Sequence, residues 1–270
     1  MIVRRHDARG VLAHYAVIQS DDTYSRIFAV RGGSYNAAHA LAPDAREEER
    51  KLLLDRLAAA DGQRVLDVPA GGGYVADGLR ARCRRASIIC VEPVAAFAAG
   101  IDPHLARVRA PLAELPFTDG SFDRVASLAG THHLDDRNAF FRECRRVLRR
   151  GGRFAVADAA DGTAVARFLN GPVDRLSATG HDGRFFARGE AAALLASAGF
   201  TEVVEESTAY HWTFPSHAVL VQFCRLLFGL VRASDEAVAC ALHDHFAVTS
   251  DGDGRVRLPW SLVYAVGVAG

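Results

Sequence analysis

The chain has 270 residues and no net formal charge, because 32 Lys and Arg side chains balance 32 Asp and Glu side chains. Half of the residues are hydrophobic and 24% are charged, which excludes a disordered protein. The neutral balance also disfavours a nucleic-acid-binding protein, since such proteins are usually basic overall.

The cysteines and the apolar segments indicate the compartment. Five cysteines form no C-x-x-C pair, which argues against a disulfide framework and a zinc ribbon. The first residues lack the apolar core of a signal peptide, and the longest apolar stretch, at 219–231, is interrupted by Gln222 and Arg225. We therefore expect a cytoplasmic protein without a membrane span.

The N-terminal region is predicted to be helical. Residues 1–45 carry scattered aromatic residues and a Gly32-Gly33 pair, which predicts short helices that form an arm or lid. A longer helix is predicted at 43–60, where leucines recur at helical spacing, and the charge run at 46–51 is interpreted as its solvated face. That run contains the only lysine, Lys51, so Schiff-base chemistry has little support.

From residue 64 onward, strand and helix patterns alternate. Short apolar strands are predicted at 65–68, 86–92, 106–110, 123–129, 154–157, 202–210 and 258–268. The intervening segments have helical spacing, which is typical of a sheet with helices on both faces. We predict an α/β fold with a doubly wound, mostly parallel, seven-stranded sheet. Residues 46–270 would form this domain, with helical cap insertions at about 160–185 and 215–250.

The most informative segment is a glycine-rich loop after the first strand, in the sequence VLDVPAGGGYVA at 65–76. Glycines at a strand-to-helix turn let a ligand approach the backbone, and the helix start offers free N–H groups. Gly71, Gly73 and Ala76 match the G-x-G-x-x-A pattern of dinucleotide-binding proteins. Asp67, however, ends the strand, and its carboxylate suits a cationic group better than a pyrophosphate, which it would repel.

Glu92 and the segments after it bear on the choice between a dinucleotide and a ligand with a cationic group. An acid at the end of the second strand can accept both hydroxyl groups of a ribose, in enzymes of NAD and of S-adenosylmethionine (SAM) alike. The chain continues with LPFTDGSFD, THHLDD and RVLRRGGRF, in that order. Together with the loop and the sequence VEP at 91–93, these segments resemble class I SAM-dependent methyltransferases, especially the small-molecule branch, over residues 46–158.

The resemblance implies a cofactor site for SAM, with S-adenosylhomocysteine as the product. Asp67 and the glycine loop would face the methionine moiety, and Glu92 would hold the ribose hydroxyls. Adenine would lie beside Pro93, Leu112 and Ala113. The residues expected to bind SAM are Asp67, Pro69, Ala70, Gly71, Gly73, Glu92, Pro93, Leu112, Ala113, Leu128 and Ala129.

The sequence departs from the family pattern at two positions. Pro69 stands in place of the first loop glycine, and proline fixes φ and removes one N–H. Pro111 stands where the family often has an acid that contacts the adenine amine. Another group would have to supply that contact here.

Two histidines are the candidates for catalysis. Methyl transfer from a sulfonium is a direct displacement, so a base is needed only when the acceptor must lose a proton. His132 and His133 are expected at the mouth of the reaction chamber, where an imidazole can take that proton. The alternative is that one of them only packs against the cofactor or caps the following helix.

Four further residues are candidates for substrate binding: Tyr35, His181, His211 and Trp212. We expect no metal. His243 and His245 stand two positions apart on a predicted helix and do not face the same way. The DGDG sequence at 251–254 lacks the later glutamate of a calcium-binding loop.

The sequence thus predicts a SAM-dependent methyltransferase of secondary metabolism that modifies a small aromatic or amphipathic molecule. An oxygen or carbon acceptor is favoured if a histidine is the base. We expect a monomer or homodimer with neither nucleic-acid nor membrane partners. Two alternatives remain: a cyclase that displaces the aminobutyrate arm of SAM and releases methylthioadenosine, and a non-catalytic SAM-binding subunit. An NAD(P) oxidoreductase fits less well, because of Asp67 and the downstream segments.

Overall fold

A mostly parallel sheet forms the centre of the computed structural model, which describes residues 22–181 and 183–270. The strands are β1 (Arg64–Asp67), β2 (Ser87–Val91), β3 (Ala106–Val108), β4 (Phe122–Leu128), β5 (Leu148–Asp158), β6 (Phe200–Phe214), β7 (Thr249–Ser250) and β8 (Val256–Ala269). Their order is β3-β2-β1-β4-β5-β8-β6, and the two-residue β7 pairs with β8. Strands β1 to β5 are parallel, whereas β8 is antiparallel to both β5 and β6. The predicted fold class is confirmed.

Helices connect and cover the strands. They are α1 (Thr23–Leu41), α2 (Glu47–Leu57), α3 (Tyr74–Arg82), α4 (Ala95–Ala98), α5 (Arg137–Val147), α6 (Ala164–Phe168), α7 (Asp174–Leu176), α8 (Glu190–Ser197), α9 (His217–Leu227) and α10 (Asp235–His245). A 3-10 turn spans Thr131–His133 and a π-helical turn spans Leu169–Val173. Among the described residues, no helix is both long and apolar enough to cross a bilayer.

Both faces of the sheet are buried, which explains the absence of alternation in the strand sequences. Val65 packs in one apolar cluster with residues of α2 and α3, and its neighbour Leu66 packs in a second cluster with residues of α5. Successive side chains of a strand point to opposite faces, so both positions must be apolar in a sheet that is covered on both sides.

Strand β5 is longer than predicted. Gly151 and Gly152 were expected to precede it, but β5 begins at Leu148, beside Phe122 of β4. The register then shifts before Arg124 pairs with Arg153, and Gly151 takes a φ of +73° within the shift. A glycine at such an irregularity lets the strand continue.

Helix α1 corrects the prediction for the part of the N-terminal arm that the structure describes. The Gly32-Gly33 pair does not separate short helices, because α1 runs unbroken through both residues. A Cβ atom at Gly32 would lie 2.8 Å from the backbone nitrogen of Phe97, which is a residue of α4. Gly32 therefore lets two helices approach closely, whereas a Cβ at Gly33 would meet no atom within 4 Å.

This packing predicts opposite effects for two adjacent substitutions. Gly32→Ala should lower the free energy of unfolding by about 1–3 kcal/mol, since the new methyl group overlaps backbone atoms that cannot move independently. Gly33→Ala is the matched control and should be neutral or stabilising by up to about 1 kcal/mol, because alanine favours the helix. Urea unfolding measures both values, and equal effects would contradict the close approach of α1 and α4.

Candidate active site

The candidate site lies at the carboxyl ends of the parallel strands, where sheets of this type bind ligands. Asp67 ends β1, Glu92 follows β2, Ala129 follows β4 and Asp158 ends β5. The strand order places β2, β1, β4 and β5 side by side, so these four residues share one edge of the sheet.

Glu92 is fully buried and accepts three hydrogen bonds. Its Oε2 atom accepts from the hydroxyl of Tyr24 at 2.8 Å and from the backbone N–H of Gly71 at 2.9 Å. Its Oε1 atom accepts from the backbone N–H of Val94 at 3.0 Å. Burial raises the pKa of Glu92 to about 7, although these hydrogen bonds oppose the shift. The carboxylate therefore ties the glycine loop of β1 to the end of β2 and to α1.

Asp67 is also fully buried, but only one of its oxygens has a partner. Oδ2 accepts from the backbone N–H of Ala76 at 3.1 Å, and Oδ1 has no hydrogen-bond partner among residues 22–181 and 183–270. Burial, with a smaller contribution from the charge of Glu92, raises the pKa of Asp67 to about 8. A buried oxygen without a donor is costly, and the ammonium group of SAM is a donor of the right charge. Asp67 thus fits the cofactor that the sequence predicts.

The glycine loop borders a cavity of about 40 Å³. Predicted SAM-binding residues on its wall are Pro69, Ala70, Gly71, Leu128 and Ala129. The facing wall comes from Tyr24 and Phe28 of α1 and from Phe97 of α4, and a Cβ at Gly71 would lie 2.8 Å from the ring of Phe97. Gly73 is the N-cap of α3, with a φ of +90°, and lies outside the cavity lining.

The residues predicted to hold adenine are not part of this cavity. Leu112 is buried in an apolar cluster and Ala113 is exposed. The carbonyl of Pro93 accepts from Nε and Nη2 of Arg109, at 3.2 and 3.1 Å. The adenine contacts of these three residues therefore stay predictions.

A second cavity of about 60 Å³ adjoins the first and shares Phe28, Tyr35 and Ala129 with it. Its walls are largely aromatic, and it contains the cluster of histidines. Tyr35 and Trp212, both predicted to bind substrate, line it.

His132 forms a close pair with Asp158. The Nδ1 atom of His132 lies 2.6 Å from Oδ1 of Asp158, while the backbone N–H of His132 and the hydroxyl of Thr131 donate to Oδ2, at 3.0 and 2.6 Å. Burial alone would raise the pKa of Asp158, but the charge and hydrogen bonds of His132 and Thr131 lower it. The carboxylate orients the imidazole through Nδ1 and leaves Nε2 to accept a proton. Asp158 is not among the residues predicted from the sequence, although its place at the end of a strand is a usable signal.

His133 and His181 stand next to this pair. The ring of His133 lies 4.0 Å from that of His132 and 4.9 Å from that of His181, between centroids. Burial is the main reason why both have a pKa well below the usual value, and the nearby imidazole of His132 and guanidinium of Arg31 lower it further. These two imidazoles are therefore neutral, and among the described residues Nδ1 of His133 has no hydrogen-bond partner.

The three imidazoles are the group in the described residues that could hold a metal ion. One nitrogen of each lies within 4.8 Å of the others. Nitrogens bound to one zinc ion stand roughly 3.4 Å apart for bonds of about 2.0–2.1 Å, a separation that this limit neither requires nor rules out. The predicted absence of a metal therefore stays a prediction.

His211 was predicted to line the substrate pocket together with Trp212, but the structure places only Trp212 there. His211 is exposed, and its backbone N–H donates to Glu48. The two residues are neighbours on β6, and neighbouring side chains of a strand point to opposite faces. We therefore remove His211 from the candidate site.

The charge run at 46–51 is not simply the solvated helix face that the sequence indicated. Arg46 and Glu49 are buried and form an ion pair. Glu49 also accepts from the hydroxyl of Tyr210 at 2.7 Å and from Nε1 of Trp212 at 2.9 Å. This network fixes the aromatic wall of the second cavity, and its partners lie too far along the chain for a local pattern to show them.

Comparisons with known proteins agree with this geometry. A family model described as a methyltransferase domain matches residues 66–156. The chain is 34% identical to the malonyl-[acyl-carrier protein] O-methyltransferase of Geobacter sulfurreducens, over 69% of this chain and 74% of the relative. It is also 34% identical to the 27-O-demethylrifamycin SV methyltransferase of Amycolatopsis mediterranei, over only 42% of this chain and 46% of that protein.

A solved structure shows the same fold. A SAM-dependent methyltransferase of Thermotoga maritima superimposes with a TM-score of 0.62 at 18% identity, over 92% of this chain and all of the other. The chain therefore belongs to the class I SAM-dependent methyltransferases, as its motifs suggested. It is a methyltransferase, and the family and its neighbours support SAM as the methyl donor.

The buried acids predict how stability depends on pH. The pKa of Asp67, about 8, lies above the ordinary value for an aspartate, so the protonated form stabilises the fold and this stability is lost as pH rises through 8. Between about pH 6 and about pH 8.5, Asp67 should cost the ligand-free protein about 2 kcal/mol of unfolding free energy. Asp67→Asn should weaken the dependence of the unfolding free energy on pH, which urea unfolding measures. The same substitution at the exposed Asp253 should leave this dependence unchanged. A slope that Asp67→Asn leaves unchanged would show that another group titrates.

Proposed function

We propose that this methyltransferase moves the methyl group of SAM to an oxygen or carbon atom of a small aromatic or amphipathic acceptor. The observation that carries the proposal is the His132–Asp158 pair, which stands in an aromatic cavity next to the glycine loop. A base oriented by a carboxylate is needed for an acceptor that must lose a proton, such as a phenol, an alcohol or an activated carbon.

The cofactor would lie across the ends of β1 and β2. SAM supplies a methyl group that is already activated by its sulfonium. Asp67 would accept from the ammonium group, Glu92 from the ribose hydroxyls, and Leu128 and Ala129 would border the methionyl amine. Both acids are buried, and among the described residues Oδ1 of Asp67 has no hydrogen-bond partner, which supports these roles.

The residues of the second cavity would place the acceptor in line with the methyl group and exclude water. The new bond forms to the acceptor atom while the bond from methyl to sulfur breaks. The acceptor proton passes to Nε2 of His132, and the charge of Asp158 stabilises the resulting imidazolium. His133 and His181 would contribute neutral walls.

The aromatic lining and the relatives together support a small acceptor. Phe28, Tyr35, Trp212, Phe228 and Trp260 surround the cavity, which suits an apolar or aromatic group. The relatives' names refer to an acyl-carrier-bound malonyl group and to a rifamycin, and these are substrates of those proteins. A cytoplasmic location and a role in secondary metabolism remain predictions.

Substitution of the pair tests the proposed base. His132→Gln should lower turnover by about 10²–10⁴-fold, because it removes the proton acceptor, and Asp158→Asn should lower it by a smaller factor. Both should change the dissociation constant of S-adenosylhomocysteine less than about threefold, which calorimetry measures. The exposed His104→Gln is the control and should retain full turnover. Full activity of His132→Gln would remove His132 from catalysis.

Mass spectrometry of the products tests the reaction itself, with SAM alone and with panels of phenols and 1,3-dicarbonyl compounds. S-adenosylhomocysteine that forms only with an acceptor supports transfer. Methylthioadenosine from SAM alone would replace the proposal with the cyclase. Tight binding of S-adenosylhomocysteine without either product would support a non-catalytic SAM-binding subunit.

A further inference from the structure

Arg31 is buried inside the second cavity without a countercharge. Its side chain projects from α1, only 4% of the residue is exposed, and it lines the same cavity as the three histidines. In the part of the chain that the structure describes, Nε and Nη1 have no hydrogen-bond partner, and Nη2 reaches only the carbonyl of Leu227, at 3.4 Å. Within the described residues no carboxylate forms an ion pair with it.

The carboxylates around the cavity are engaged by other groups. Glu49 forms an ion pair with Arg46, and Asp158 accepts hydrogen bonds from the side chains of His132 and Thr131. Among the described residues of the wall, Arg31 therefore has no carboxylate of its own. The charge of Arg31 also acts on the neighbouring imidazoles, since it is among the causes that lower the pKa of His133 and of His181.

The fold alone does not explain a buried guanidinium at this position. Burial of a charged group costs several kcal/mol unless the group is paired and hydrogen-bonded. This cost is comparable to the whole free energy of unfolding of a typical domain. What Arg31 obtains from the protein is one long hydrogen bond and a contact with the ring of Phe28, 5.7 Å from the guanidinium carbon to the ring centroid. An apolar residue would stabilise the interior better.

We propose that Arg31 binds an acidic group, a carboxylate, on the methyl acceptor. A guanidinium binds carboxylates through charge-assisted hydrogen bonds, and Nε and Nη1 of Arg31 have N–H donors that no described residue accepts. The acceptor is then an organic acid whose apolar body lies against the aromatic wall. This inference rests on the proposed function, because it assigns the acceptor to the cavity that contains His132.

The charge of Arg31 also separates this proposal from a metal site in the same cavity. A dication on the three imidazoles would stand close to an unpaired guanidinium, and like charges at short range in a buried site repel strongly. An anion is attracted by the same charge. The observations therefore favour an anionic ligand over a bound metal ion.

One other source of a carboxylate has to be distinguished, namely SAM itself. Arg31 lines the cavity of the histidines and not the cavity of the glycine loop, where the methionine moiety is expected. The carboxylate that Arg31 binds is therefore assigned to the acceptor and not to SAM. The binding of S-adenosylhomocysteine, which carries the same carboxylate as SAM, separates the two.

Fluorine NMR with a matched pair of small probes tests the proposal on the full chain, in the presence of S-adenosylhomocysteine. 4-Fluorobenzoate and 4-fluorobenzamide have the same shape and differ in charge. The wild-type protein should bind the benzoate at least about tenfold more tightly than the amide, the scale of one charged hydrogen-bonded pair. Arg31→Met should abolish this preference, Arg31→Lys should retain part of it, and the exposed Arg26→Met on the same helix should leave it unchanged.

Thermal unfolding without ligand gives a second readout. Arg31→Met should raise the melting temperature by a few degrees, about 2–4 °C per kcal/mol for a chain of this size, because an unpaired buried charge is removed. A lower melting temperature would mean that Arg31 stabilises the fold, and the proposal would be wrong.

Three further outcomes would overturn the inference. Equal affinity of the wild-type protein for both probes would exclude an anion site. A loss of S-adenosylhomocysteine affinity in Arg31→Met, with unchanged benzoate binding, would assign Arg31 to the cofactor. Zinc retained by the purified wild-type protein and lost on His181→Ala would assign the cavity to a metal. If S-adenosylhomocysteine does not bind the wild-type protein at all, the proposed function fails, whereas the preference for benzoate over benzamide is still measurable.

Discussion

The burial of three carboxylates at one edge of the parallel sheet is the constraint on which the site depends. Asp67, Glu92 and Asp158 are all removed from water, yet their partners differ. Backbone N–H groups and a phenol hold Glu92, a single N–H holds Asp67, and an imidazole holds Asp158. The pKa is raised at Asp67 and Glu92 and lowered at Asp158. This edge of the sheet therefore carries two acids that are suited to a polar ligand and one that stabilises a cation.

The sheet and its glycine loop were predictable because their signals are local. A buried strand that ends in an acid, followed by glycines and a helix, occupies consecutive residues, and the structure has each of these elements in place. The second cavity was only partly predictable. Glu49 meets Tyr210 and Trp212, more than 160 positions away, and this converts an apparently solvated arginine and glutamate into a buried pair. The prediction of a helix break at Gly32 was wrong for a related reason. Gly32 lets α1 approach Phe97 of α4, and this contact is not visible in the local sequence.

The range that the family model matches separates two kinds of site residue. The family model covers residues 66–156, which include Asp67, Glu92 and His132. Arg31, Tyr35, Trp212 and Trp260 line the second cavity and lie outside that range. Methyltransferases that share the core can therefore differ in acceptor through α1 and through the segments after β5, without changing the strand ends.

The hydroxyl of Tyr24, on helix α1, donates a hydrogen bond to Oε2 of Glu92. The same oxygen also accepts from the backbone N–H of Gly71. If a ribose hydroxyl of a nucleoside donates to that oxygen, it replaces the hydroxyl of Tyr24. The gain in binding free energy is then the difference between two similar hydrogen bonds and not the free energy of a whole one. The exchange also releases the anchor at the start of α1. Binding of such a nucleoside and docking of α1 would then be coupled reciprocally: the docked helix would weaken nucleoside binding by the same factor by which the bound nucleoside weakens docking.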